Sequence, residues 1–138
     1  PLLKNKKVET TTMIDPILKT DIKISLFIDP SEEQLYATKD LGVNTIELHT
    51  GAYANAFEKN IDLEFELNRL QSSAMLAEDL SLNCHAGHGL NFENVVSIAK
   101  IKNILELNIG HFIIADSIFN GLQNSIQKMK NIINKASK

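Results

Sequence analysis

Apolar residues in this chain fall into short runs and one-sided stripes that alternate along the sequence. Ile24-Ser25-Leu26-Phe27-Ile28 reads as a buried strand closed by Asp29-Pro30, and Thr45–His49, Leu82–Ala86 and Ile104–Ile109 read as three more. Helical patterns follow each of them. Ser31-Glu32-Glu33-Gln34 has the form of a capping box, in which the Ser31 hydroxyl takes the Gln34 amide and the Gln34 side chain reaches back. The helix it opens ends near Leu41, with Gly42 as its stop. After the second strand and a loop, Asp62 begins a longer helix, with Leu63, Leu67, Leu70, Ala74 and Ala77 on one face. Asn91 is placed to cap a short helix running to about Lys100. A closing helix from about Asp116 to Asn134 carries Ile118, Leu122, Ile126, Met129 and Ile133 as its inner stripe. Residues 1–21 show no clear period, and Pro16 argues against a helix there, so they read as an irregular lead-in.

The resulting β-α-β-α-β-α-β-α order predicts an α/β fold with parallel strands covered by helices. Four such strands alone leave two open edges. A complete (β/α)8 TIM barrel takes roughly 250 residues, and this chain has 138. The pattern is therefore that of half a barrel: a fragment, an assembly of half-barrels, or a small open α/β domain.

Composition narrows the function classes. A hydrophobic share of 43% supplies a core for one domain. A net charge of −3 gives no electrostatic case for nucleic acid or an anionic membrane. Arg69 is the only arginine, so bidentate clamping of phosphate by guanidinium groups is nearly unavailable. Cys84 stands alone, which rules out an internal disulfide and a cysteine-rich zinc site and fits a reducing compartment. No apolar run approaches the ~20 residues of a membrane span. The lysine-rich start also lacks the apolar segment of a signal peptide, so the expected address is cytoplasmic.

The candidate chemistry sits where strands end. Three of the four runs close on a histidine beside a glycine: His49-Thr50-Gly51, Gly87-His88-Gly89 and Gly110-His111. Barrel enzymes keep their reactive groups at the carboxyl ends of their strands. By strand alternation Glu47 shares a face with His49, the interior face of a barrel. A carboxylate there is costly unless it is paired or used; the plain alternative is a structural ion pair with His49 or a lysine. Glycines on both sides give His88 the freedom and exposure of a general acid or base, a role that imidazole suits near neutral pH. The alternative is an ordinary glycine-rich turn. His85 is expected to pack against the helix layer. Gly110-His111 precedes the closing helix, where backbone amides at a helix N-terminus bind phosphate without arginine, unless this is a simple βα turn. Asn108 has the parity to be a second inward polar group near the mouth.

These segments, in order and spacing, closely resemble the pyridoxine 5′-phosphate synthase family. The match is carried by Ile24–Asp29, Ile46–Ala54, Ala86–Asn91 with Glu93-Asn94-Val95, Glu106–His111 and Gly121-Leu122, and extends from about Ile22 to the end. The resemblance implies a (β/α)8 barrel, with residues 22–138 holding strands five to eight as its C-terminal half, and residues 1–21 a remnant of the preceding unit. It implies condensation of 3-amino-2-oxopropyl phosphate with 1-deoxy-D-xylulose 5-phosphate to pyridoxine 5′-phosphate and inorganic phosphate, with no metal or organic cofactor. His88 then looks like the proton donor and Glu47 like the stabiliser of charged intermediates. Gly89, Gly110 and His111 look like aminoketone phosphate binders, and Thr11 corresponds loosely to a substrate-binding threonine. The family's Asn-x-Asp-His and His-x-Arg segments, which supply the rest of the site, have no counterpart here. The helix expected between the Thr11 stretch and strand five is also missing. His85 replaces a usual asparagine, and Asp116 a frequent basic residue. The implied partners are a complementing N-terminal half or further copies of the chain. Two other readings stand beside this one: a metal-dependent hydrolase with His49, His88 and His111 as ligands, and a non-catalytic truncated half-barrel.

Overall fold

A computed structural model describes residues 7–137. Helix α1 (Lys7–Leu18) leads into β1 (Ser25–Ile28), α2 (Glu32–Asp40), β2 (Thr45–His49), α3 (Gly51–Lys59), α4 (Leu63–Asp79), β3 (Asn83–Gly87), α5 (Val95–Ala99), β4 (Glu106–Asn108), α6 (His111–Asn120) and α7 (Leu122–Ala136). The four strands form one sheet in the order β1-β2-β3-β4, and every neighbouring pair is parallel. The α/β architecture and all four strands thus lie where the apolar runs place them.

Alternation sorts the two faces of the sheet. Ile46, Leu48, Cys84 and Ala86 are buried on the helix side, in one cluster with Leu35, Leu70, Ala74, Ala77, Val95 and Ile98. Enclosing each such Leu, Ile or Val stabilises the fold by roughly 1.5–3 kcal/mol. Glu47, His49 and His85 project from the opposite face, because strand side chains alternate. His85 therefore lies beside Glu47 in register rather than against the helices; a slip of one residue reverses the face of every side chain in a strand. Burial pushes the Cys84 thiol up to about 12.

Several boundaries differ from the sequence reading. The lead-in is helical from Lys7 to Leu18 despite Pro16, and this helix precedes β1 where none was expected. Pro16 stands within the last turn, so only one ladder bond, to the Thr12 carbonyl, is forfeited. The buried Ile14 anchors α1 against Leu41 and Val43. The supposed loop after β2 begins with α3, whose Tyr53 and Ala56 face inward. Helix α2 starts after Ser31, yet the capping box does not close. Gln34 turns into the interior, and its side-chain nitrogen has no partner among the described residues. The closing helix is two helices, broken at Gly121 with φ +81°. Across that break Ile118 on α6 and Leu122 and Ile126 on α7 are exposed, while Met129 is buried as the stripe requires. Asp116 secures the corner: its carboxylate accepts from Ser125 Oγ at 2.5 Å and from Asn120 Nδ2 at 3.0 Å.

Candidate active site

The carboxyl ends of β2, β3 and β4 meet at a cleft of about 550 Å³, lined by residues that include Glu47, His88, Gly89, Asn108, Gly110 and His111. Strand geometry brings them there. Glu47 lies two residues inside the end of β2. His88 follows the last residue of β3, and Asn108 closes β4. Gly110 is the N-cap of α6, and His111 is its first residue.

The Glu47 carboxylate is fixed across a strand. In register, Gly87 lies between His49 and Asn108, one step toward the cleft from Glu47. Because Gly87 has no side chain, Glu47 leans over it, and Asn108 Nδ2 donates to Glu47 Oε2 at 2.6 Å. A Cβ on Gly87 would run into Glu47 Oε1 and lie 2.7 Å from the Asn108 carbonyl oxygen. The pairing of Glu47 is therefore with an amide. The parity argument places Asn108 correctly, whereas the expected support of Glu47 by His49 is not formed: His49 turns its ring to His88. Their ring centroids lie 4.6 Å apart at 26°, and Phe27 meets His49 edge-on at 5.0 Å.

His88 is exposed and takes φ +84°, followed by Gly89 at +77°. The glycine-flanked turn thus places its unusual backbone angle on the histidine itself, a conformation that costs of order 1–3 kcal/mol for a residue with a Cβ. The loop is held from below. The Thr50 hydroxyl shares its one proton between the carbonyl oxygens of Gly87 at 2.7 Å and His88 at 2.6 Å. Asn94 Nδ2 donates to the Gly89 carbonyl at 3.1 Å, and Asn94 Oδ1 accepts from the Asn91 amide at 2.8 Å. Tyr53 donates its hydroxyl to the Asn94 carbonyl at 2.7 Å, and burial raises its pKa above the usual phenol range, which keeps that donor protonated. Asn91 Oδ1 accepts from the amides of Glu93 and Asn94 in the turn before α5, so it orders that turn, while the N-cap of α5 is Asn94 rather than the expected Asn91. Thr50, Tyr53 and Asn94 are supporting residues that the sequence reading assigned no role. Their signal is faint: three polar groups beside glycine-rich strand ends, recognisable only once burial is known.

Also at the cleft, the first amides of α6 lack intrahelical acceptors, as at any helix start, and the helix dipole adds positive potential. Gly110, His111 and Phe112 line the cleft there. Thr11 is not brought to the cleft: it lies on α1, whose contacts with Leu41 and Val43 fall near the amino end of β2. The three-histidine metal centre is not assembled either. Among the described residues, no group of three or more His, Cys, Asp or Glu side chains is placed to hold a metal ion.

Parallel strands each followed by a helix, with a carboxylate, an imidazole and a helix N-terminus gathered at the strands' carboxyl ends, define an α/β protein of TIM-barrel type. The chain belongs to the family of the pyridoxal phosphate biosynthesis protein PdxJ, whose model matches residues 3–135. It is similar to the pyridoxine 5′-phosphate synthase of Sulfurihydrogenibium sp., with 51% identity over 91% of this chain and 51% of the relative. The synthase of that name from Zymomonas mobilis is 47% identical over 90% of this chain and 48% of its own length. The one from Nautilia profundicola is 42% identical over 91% and 57%. The chain spans about half the length of the curated relatives it matches. No helix among the described residues is long and apolar enough to cross a membrane.

Proposed function

We propose that this chain forms strands five to eight of a pyridoxine 5′-phosphate synthase barrel, with residues 22–138 as the C-terminal half of that domain, working in the cytoplasm. The reaction joins 3-amino-2-oxopropyl phosphate and 1-deoxy-D-xylulose 5-phosphate. The amine condenses with the sugar ketone, phosphate leaves, water adds and is lost, and the ring closes to give pyridoxine 5′-phosphate. The observation that carries this reading is the one cleft that Glu47, His88, Gly110 and His111 line together.

Each group has a task that its surroundings suit. The α6 N-terminus with His111, together with Gly89, receives the aminoketone phosphate through backbone amides, which replaces the missing arginines. That anchor holds the reacting carbons between Glu47 and His88. The Glu47 carboxylate, held by Asn108, faces positive charge as it develops on the imine nitrogen, and a preoriented group needs no reorganisation at that moment. His88 protonates the departing oxygen in the elimination steps. The remaining contacts to the deoxyxylulose phosphate come from the other half of the barrel, supplied by a complementing N-terminal half.

Co-production with the N-terminal half of the Sulfurihydrogenibium synthase tests the reading. Pyridoxine 5′-phosphate should form from both substrates when the halves are together. It should be lost with His88→Ala or Glu47→Gln. A folded, associated pair that makes no product, or product formation indifferent to both substitutions, would overturn it.

A further inference from the structure

We propose that the corner His49-Thr50-Gly51 is the positioning device of His88, with Thr50 as its principal positioning residue. The proposal rests on the proton-donor role of His88 given above and extends it to residues that do not touch the reacting atoms.

An acid–base histidine ordinarily has one ring nitrogen bonded to a carboxylate or carbonyl that fixes the ring's direction. Here no hydrogen bond reaches the His88 ring among the described residues, and the side chain is exposed. Something else must aim it, and three contacts from one corner of β2 do so. First, Thr50, fully buried, donates its hydroxyl to the His88 carbonyl at 2.6 Å, which pins the peptide that follows the φ +84° turn. The Thr50 amide also donates to the Gly87 carbonyl at 2.8 Å, so both sides of His88 are held by one residue. Second, His49 lays its ring against that of His88 at 4.6 Å, while Phe27 backs His49. Third, Gly51 leaves room for the stack: a Cβ there would run into His49 Cε1 and lie 3.1 Å from His88 Cδ2. This arrangement directs the ring by its face and its backbone. Both nitrogens stay open to substrate, which suits a group that must give up a proton.

Two measurements on Thr50→Val and Thr50→Ser test this. In the reconstituted synthase, Thr50→Val should lower kcat by roughly 10²-fold, the cost of a small misplacement of a reacting group. KM for 1-deoxy-D-xylulose 5-phosphate, whose remaining contacts come from the other half of the barrel, should stay within about twofold. Thr50→Ser, which keeps the hydroxyl, should restore kcat to within about threefold of the parent. In the isolated chain, the His88 ring protons should resonate upfield through ring currents from His49. Thr50→Val should shift them toward free histidine, and Thr50→Ser should leave them in place. The proposal is overturned if kcat of Thr50→Val stays near the parent value, if Thr50→Ser is no better than Thr50→Val, or if the His88 signals do not move. The magnetic resonance arm needs no turnover, so it decides the positioning role even where the synthase reading fails. Should Thr50→Val not fold, the half-buried His49 carries the same test: His49→Ala should release the His88 signals and lower kcat, while His49→Phe, which keeps a stacking face, should retain both.

Discussion

The centre of the sheet and its flanks are built differently. At the centre, Ile46, Leu48 and Ala86 are completely enclosed, and the ends of β2 and β3 are tied by Thr50, Tyr53 and Asn94. At the flanks, apolar side chains face outward: Leu105 before β4 is 66% exposed, and Ile118 and Phe119 on α6 are 76% and 88%. β4 itself is only three residues long. Open strand edges are features that proteins protect. The difference teaches that Glu47 and His88 are held by the chain's own contacts, while the flanks leave apolar side chains outside the core.

Substitutions that strike one region and spare the other put this contrast to the test. The largest effect is expected at the chemistry: His88→Ala in the reconstituted synthase should cost roughly 10²–10⁴ in kcat, read by single-turnover assay. The same loss from Phe119→Asp would erase the distinction between centre and flank. Next comes thiol reactivity. With Cys84 moved from 9.0 to about 12, its thiolate fraction near pH 8 falls about 10³-fold, so alkylation of the folded chain should be slower by at least that factor than in urea. The sign for stability follows from a folded pKa above the unfolded one. The contribution is intact below pH 9 and is lost as pH rises toward 12, so alkaline unfolding should begin in that window.

Packing gives a smaller but sharper comparison. Leu48→Ala should cost about 2–5 kcal/mol in urea unfolding, whereas Leu105→Ala on the flank should stay within about 0.5 kcal/mol. Equal costs would mean that the flank is as well packed as the centre. Smaller still, Gly87→Ala should cost about 1–3 kcal/mol by overpacking. It should also abolish the Glu47–Asn108 bond, detectable as a loss of the downfield shift of the Asn108 amide protons. An unchanged Asn108 signal would show that Glu47 is not held across Gly87.

Much of the fold was legible because period and burial agree. The alternation through Thr45–His49 and the stripe Leu63, Leu67, Leu70, Ala74, Ala77 each have one physical solution, and the structure adopts it. What misled was local chemistry with more than one outlet. Ser31 and Gln34 match a capping box, yet Gln34 is drawn into the core. Pro16 suggests a break, yet Ile14 anchors the helix around it. Ile118 and Leu122 continue a stripe on paper, but Gly121 turns the chain between them. In the site, Glu47, His88, Gly89, Gly110 and His111 were readable as strand-end and helix-start residues and do line one cleft. Thr11 was not separable from them by sequence and lies elsewhere.

The sequence by itself determined the parallel α/β order and the placement of polar groups at strand ends, because hydrophobic period and strand alternation act over a few residues. Only the tertiary structure decided which of those groups support one another. That Asn108 reaches Glu47 across Gly87, that His49 serves His88 rather than Glu47, and that Thr50 holds the His88 loop all depend on register between strands. Register brings together residues 37 to 61 positions apart, a distance over which no local pattern in the sequence carries information.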